Sequence, residues 1–93
     1  MLELHTPYDL QLELSQFIRK MRKQKKLSVK ALVDKSGVPD STIRKFEATG
    51  EISLRQFLML YAAVSQLKKI KVLMESEESP NSIDEVLKSH AKS

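Results

Sequence analysis

The stretch SVKALVDKSGVPDSTIRKFEATG, Ser28 to Gly50, constrains the fold more than any other part of the chain. It reads as two short helices joined by a tight glycine turn. Ser28 has the hydroxyl expected of an N-cap, and Ala31, Leu32 and the turn residue Val38 give the first helix an apolar face. That helix ends at Gly37, where a left-handed backbone carries no Cβ penalty. Pro39 then suits a first helical position, with φ already helical and no N–H to leave unpaired. Ile43 and Phe46, three apart, face the core and leave Asp40, Ser41, Thr42, Arg44 and Lys45 on the outside.

An exposed set of short polar groups and a guanidinium at a helix N-terminus is what a recognition helix presents to base edges in a DNA major groove. Any amphipathic helix also shows a polar outer face, and simple solvation is the competing reading. The neighbouring charge favours the groove. Arg19, Lys20, Arg22, Lys23, Lys25, Lys26 and Lys30 follow one another with no acidic residue between them, as a phosphate backbone would require.

The 93 residues allow one small domain with a tail, and a 41% hydrophobic content with few aromatics suits a small helical core. So small a core gains from oligomerisation, which makes a dimer plausible on physical grounds. There is no cysteine, hence neither a disulfide framework nor a thiolate zinc site, and His5 and His90 lack partners at ligand spacing. No metal or cofactor is expected. No apolar run reaches the length of a membrane span and no signal peptide is apparent, so the expected location is the cytoplasm, with a DNA binder collecting on the bacterial nucleoid. Charge is uneven along the chain: residues 1–74 carry 14 basic and 7 acidic side chains (+7), whereas 75–93 carry 2 and 5 (−3). A basic body attracts a polyanion, and an acidic end usually solubilises, although it can also meet the basic face or a protein partner.

Upstream of Ser28, Thr6, Pro7 and Asp9 form a helix start with a capping-box acid. A long first helix follows, with Leu10, Leu14, Phe17, Ile18 and Met21 as its expected core stripe and Leu27 closing the core beyond it. Downstream of Gly50, Ser53 caps another helix, in which Leu54, Phe57, Leu58, Tyr61 and Ala62 form the expected packing stripe with Leu60 and Val64 beside it. Phe57 and Tyr61 read as core rather than as stacking platforms.

Residues 69–75, KIKVLME, change period. Ile70, Val72 and Met74 alternate with Lys69, Lys71 and Leu73, which predicts a short edge strand. A lone strand needs a partner, so Ile70, Val72, Leu73 and Met74 are expected to pair across a two-fold dimer axis. The competing reading continues the preceding helix. ESEESPNS reads as a linker, and Ser82 to Glu85 suits the start of a short helix running to Lys88. The expected organisation is a DNA-binding domain over 1–67, a dimerisation strand over 68–75 and an acidic tail over 76–93. The expected fold class is all-α, with that strand as its only β element.

The run IRKMRKQKKLSVKALVDKSGVPDSTIRKFEATGEISLRQFLMLYAAV, about half the chain, resembles the phage-repressor-type helix-turn-helix family. It has that family's basic first helix, G-V turn, S-T-I segment and F-E ending. With a later helix, a KIKVLME strand and a polar tail, the layout is most similar to HipB-type antitoxins. The resemblance implies a lambda-repressor-like domain and a dimer that binds an inverted-repeat operator, represses its own operon and neutralises a HipA-type Ser/Thr kinase toxin, whole or split. It also implies DNA contacts at Pro39, Asp40, Ser41, Thr42, Arg44 and Lys45, with Ser28 and Lys30 at the start of the preceding helix. Two departures matter. Val29 stands where many members carry a glutamine that braces phosphate and recognition helix. Asp40 brings a carboxylate, which must accept from a cytosine amino group or cap the helix away from phosphates.

A stand-alone or phage-type regulator, or a protein-interaction module whose basic face meets an acidic partner, is the alternative. An enzyme has little to stand on: there is no cysteine nucleophile and no glycine-rich phosphate loop, and Glu13, Asp34 and Glu47 read as helix-surface or capping carboxylates.

Overall fold

In a computed structural model, which describes residues 6–75, the chain forms four α-helices and short helical turns after them. Helix α1 spans Pro7–Gln24. Thr6 Oγ1 accepts from the Asp9 amide at 3.1 Å and the Thr6 amide donates to Asp9 Oδ2 at 3.4 Å, so the expected capping box is present. The helix closes with Lys26 in the left-handed region (φ 58°), and the Leu27 amide donates back to the Arg22 carbonyl.

Helix α2 spans Val29–Ser36, and Ser28 Oγ accepts from the Ala31 amide at 3.0 Å. Gly37 (φ 81°) ends it as expected. Helix α3 spans Asp40–Thr49 and is closed by Gly50 (φ 82°). Pro39 precedes α3 rather than opening it: its ψ of 150° is extended, and Asp40 is the first helical residue. Helix α4 spans Leu54–Val64 behind the Ser53 cap, whose Oγ accepts from the Gln56 amide.

The core is Ile18 of α1, Leu32 of α2, Val38 in the turn, Ile43 and Phe46 of α3, and Phe57, Leu60, Tyr61, Ala63 and Val64 of α4. Phe46 meets Phe57 edge-on, with ring centroids 6.0 Å apart, so the middle of the core is an aromatic contact between α3 and α4.

Two apolar stripes differ from expectation. In α1, Leu10, Leu14 and Phe17 are exposed; Ile18 is buried and Met21 packs on the core as expected, and the polar Ser15 and Arg22 join them inside. Gln11, exposed at the edge of this face, donates Nε2 to the Gly50 carbonyl at 3.1 Å, and the small Ser15 side chain, fully buried, donates to the Leu12 carbonyl one turn back at 2.7 Å. Each buried polar atom therefore has its partner, which is what permits a polar residue inside. In α4 the buried line is Phe57, Leu60, Tyr61 and Val64, while Leu54 (74% exposed) and Ala62 lie outside it.

The expected strand over 68–75 is helical instead. Ser65 (φ −153°, ψ −147°) ends α4, a 3₁₀ turn covers Leu67–Lys69, and helical turns continue to Glu75. A lone extended segment would leave its N–H groups unpaired. In the turns they donate locally, Ile70 to Leu67 O at 2.9 Å and Leu73 to Ile70 O at 3.0 Å. The segment is not the continuation of α4 either, because Ser65 separates them. Of the residues expected to pair across a dimer, Ile70 packs on the core while Val72, Leu73 and Met74 are exposed. There is no strand among the described residues. The tail expected over 76–93, His5 and His90 all lie outside the described residues. No described helix is long and apolar enough to cross a membrane, and no group of three metal-ligating side chains occurs among the described residues.

Candidate nucleic-acid interface

The α2–α3 turn determines which side chains reach solvent. Val38 is completely buried and its amide donates to Ser36 Oγ at 3.1 Å, so the three residues Gly37–Val38–Pro39 are pinned to the core from one side. Because Ile43 and Phe46 anchor α3, the opposite face is turned out: Pro39, Asp40, Ser41, Arg44 and Lys45 are exposed and Thr42 is half-buried. Ser28 and Lys30 are exposed at the start of α2. Ser41, Thr42 and Lys45 line one shallow concavity with Glu51, Ile52 and Gln56. Glu51 and Gln56 extend the candidate surface beyond the residues the sequence pointed to.

The electrostatics of this face are more balanced than the run of basic residues suggested. Asp40 Oδ1 accepts from Arg44 Nε at 2.6 Å, an i,i+4 pair along α3. Lys45 Nζ lies 3.2 Å from Glu51 Oε1. Both pairs are solvent-exposed, where such contacts contribute about 0.2–1 kcal/mol, so each opens readily for a stronger anion. Asp40 does not cap α3, which has no side-chain cap hydrogen bond. Its carboxylate engages the Nε side of Arg44, and the guanidinium's remaining donors are available for a planar acceptor pair.

Two residues read as surface groups are structural. Arg22 belongs to the basic run, yet it is buried at the end of α1. Its Nε and Nη2 donate to Glu47 Oε2 and Oε1 at 2.8 and 3.0 Å, and Nη1 donates to the Leu27 carbonyl at 2.8 Å. Each side chain of the pair is only 11% exposed. The hydrogen bond to Glu47 holds the Arg22 guanidinium above its ordinary pKa, outweighing the opposite effect of burial. Arg22 is therefore withdrawn from any phosphate contact, and Glu47 is an inward anchor of α3 rather than a surface carboxylate. Arg19, at 4.0 Å from Glu47 Oε1, leans on the same group. No single-residue pattern signals this pairing, because the partners are 25 positions apart. Val29 packs against the core, so the position at which the resemblance expects a bracing glutamine serves packing here.

Comparison with protein-family models, with curated proteins and with solved structures finds no match to this chain.

Proposed function

We propose that this protein is a sequence-specific DNA-binding repressor that binds an inverted-repeat operator as a dimer. The observation that supports the reading is the exposed N-terminal face of α3, where Ser41, Arg44 and Lys45 project beside a turn locked to the core. A rigid two-helix unit presenting a guanidinium and short hydroxyls has the shape and the chemistry that a major groove accepts. Arg44 reads a base, best a guanine edge taken bidentately. Lys30 and Lys45 hold phosphates as point charges, and Ser28, Thr42 and Pro39 complete the contact surface. In the dimer the two α3 helices enter successive major grooves about 34 Å apart on one face of the duplex. With no strand to pair among the described residues, a second copy would use apolar side chains left in solvent, Val72 and Met74 among them.

The finer reading is that of an antitoxin that represses its own operon and neutralises a HipA-type Ser/Thr kinase. It rests on the sequence resemblance, and its test is co-purification of the full chain with such a kinase encoded beside it. The DNA reading is tested by selecting binders from a pool of random duplexes. Enrichment of one inverted repeat supports a repressor, and a pool that stays random through successive rounds rejects it.

A second reading is a protein-interaction module without a DNA role. It is favoured by the acidic partners of Arg44 and Lys45, Asp40 and Glu51, which offset the positive charge of the α3 face. In that case no duplex is retained even at low salt.

A further inference from the structure

Leu14 of α1, Leu54, Phe57 and Leu58 of α4, and Ile70 and Leu73 of the C-terminal turns line a largely apolar cleft of about 350 Å³. Leu54 and Leu73 on its rim are 74% and 68% exposed. Contiguous apolar surface of this kind on a small domain marks a place where something binds.

We propose that the occupant is this chain's own segment 82–88, SIDEVLK, seated as an amphipathic helix with Ile83, Val86 and Leu87 in the cleft. Four observations converge on it. First, the sequence carries apolar residues at i, i+3 and i+4, the spacing by which a helix anchors in a groove, behind Ser82 and Glu85 at capping-box spacing. Second, the chain leaves the described domain at the cleft itself: Leu73 is a wall of it and Glu75 is the last described residue. Ile83 follows eight positions after Glu75, a reach of up to roughly 26 Å, ample for returning to the same cleft.

Third, the charges are complementary. Residues 75–93 carry a net −3, while Lys68, Lys69 and Lys71 are exposed on either side of Ile70. Fourth, a connection of this length gives the segment an effective concentration on the order of 1 mM at the cleft, so a weak intrinsic affinity suffices and a second copy at micromolar concentration competes poorly. Any protein that docks in this cleft must then displace residues 82–88. The inference does not depend on DNA binding.

The chain has no cysteine, so a single Lys88→Cys substitution takes one nitroxide spin label in the full-length protein. The expected result is loss of the Leu54, Leu58 and Leu73 amide signals when label and ¹⁵N are on the same molecule. Those signals persist when labelled, unenriched protein is mixed with unlabelled, ¹⁵N-enriched protein, and they return when Ile83→Asp and Leu87→Asp are added. Equal loss in the mixed sample would identify a second copy as the occupant and overturn the proposal. Intact signals in both samples would overturn it as well.

Discussion

Arg22 and Glu47 form a bidentate ion pair, 2.8 and 3.0 Å, that fastens the end of α1 to the last turn of α3 in a nearly closed environment. The third donor of Arg22 holds the Leu27 carbonyl, so the same guanidinium also fixes the α1–α2 turn. A single side chain therefore sets the position of both helices that the α3 face depends on.

Removing one partner of such a pair strands the other charge. Glu47→Ala should lower stability by about 3–5 kcal/mol, read as a fall in Tm of well over 10 °C. A double change to apolar residues of similar size, Arg22→Met with Glu47→Leu, should recover most of it. Chemical denaturation of the three variants checks this, and a Glu47→Ala loss below 1 kcal/mol would show the pair to be dispensable.

The two glycines should differ in what alanine costs. Both have positive φ, which an added Cβ strains by about 1–2 kcal/mol. At Gly37 the Cβ meets only the flexible Met59 methyl at 3.5 Å, whereas at Gly50 it lies 3.0 Å from the Gln11 backbone. Gly50→Ala should therefore destabilise clearly more than Gly37→Ala, measured as the difference in denaturation midpoint. Equal losses would mean that α1 yields at Gln11.

Much of this architecture is legible in the sequence, and the parts that are not share a physical cause. Thr6, Ser28 and Ser53 announce three helix starts, and Gly37 and Gly50 announce two ends, because capping is local chemistry. The buried face of α1 is only partly legible because Ser15 and Arg22 on it are polar, Ser15 satisfied within the helix by the Leu12 carbonyl and Arg22 by Glu47, 25 positions away, while Leu10, Leu14 and Phe17 mimic a core stripe. KIKVLME misleads for a different reason: alternation over seven residues cannot be told from the face of a single helical turn. On the candidate surface, the exposure of Asp40, Ser41, Arg44 and Lys45 follows from the Ile43–Phe46 spacing. The Asp40–Arg44 pair follows from i,i+4 spacing within α3, whereas the Lys45–Glu51 pair and the recruitment of Glu51 and Gln56 to the rim depend on how the chain after α3 leads into α4.

Within the DNA reading, Arg44 and Asp40 should have opposite effects. Arg44→Ala should cost about 1–3 kcal/mol on the preferred sequence and little on random duplex, relaxing specificity. Asp40→Ala removes a carboxylate from the face that meets phosphates and should strengthen binding to random duplex several-fold. Competition binding against both duplexes reads the two effects. Equal losses on both for Arg44→Ala would assign that residue to phosphate instead.

Lys30 and Lys45 should behave as phosphate contacts. Alanine at either position should weaken binding similarly on every sequence and lower the slope of log affinity against log salt by about 1. Glu51→Gln frees Lys45 from its partner and should act in the opposite direction. An unchanged slope for Lys45→Ala would place its ammonium away from the duplex.

The most direct test of the central claim is a salt series of binding to the DNA immediately upstream of this protein's own gene, beside a scrambled duplex of equal length. The account predicts tight binding to the upstream DNA with two chains per site, a steep fall with salt, and much weaker binding to the scrambled duplex. Absence of binding to either duplex at low salt would contradict it.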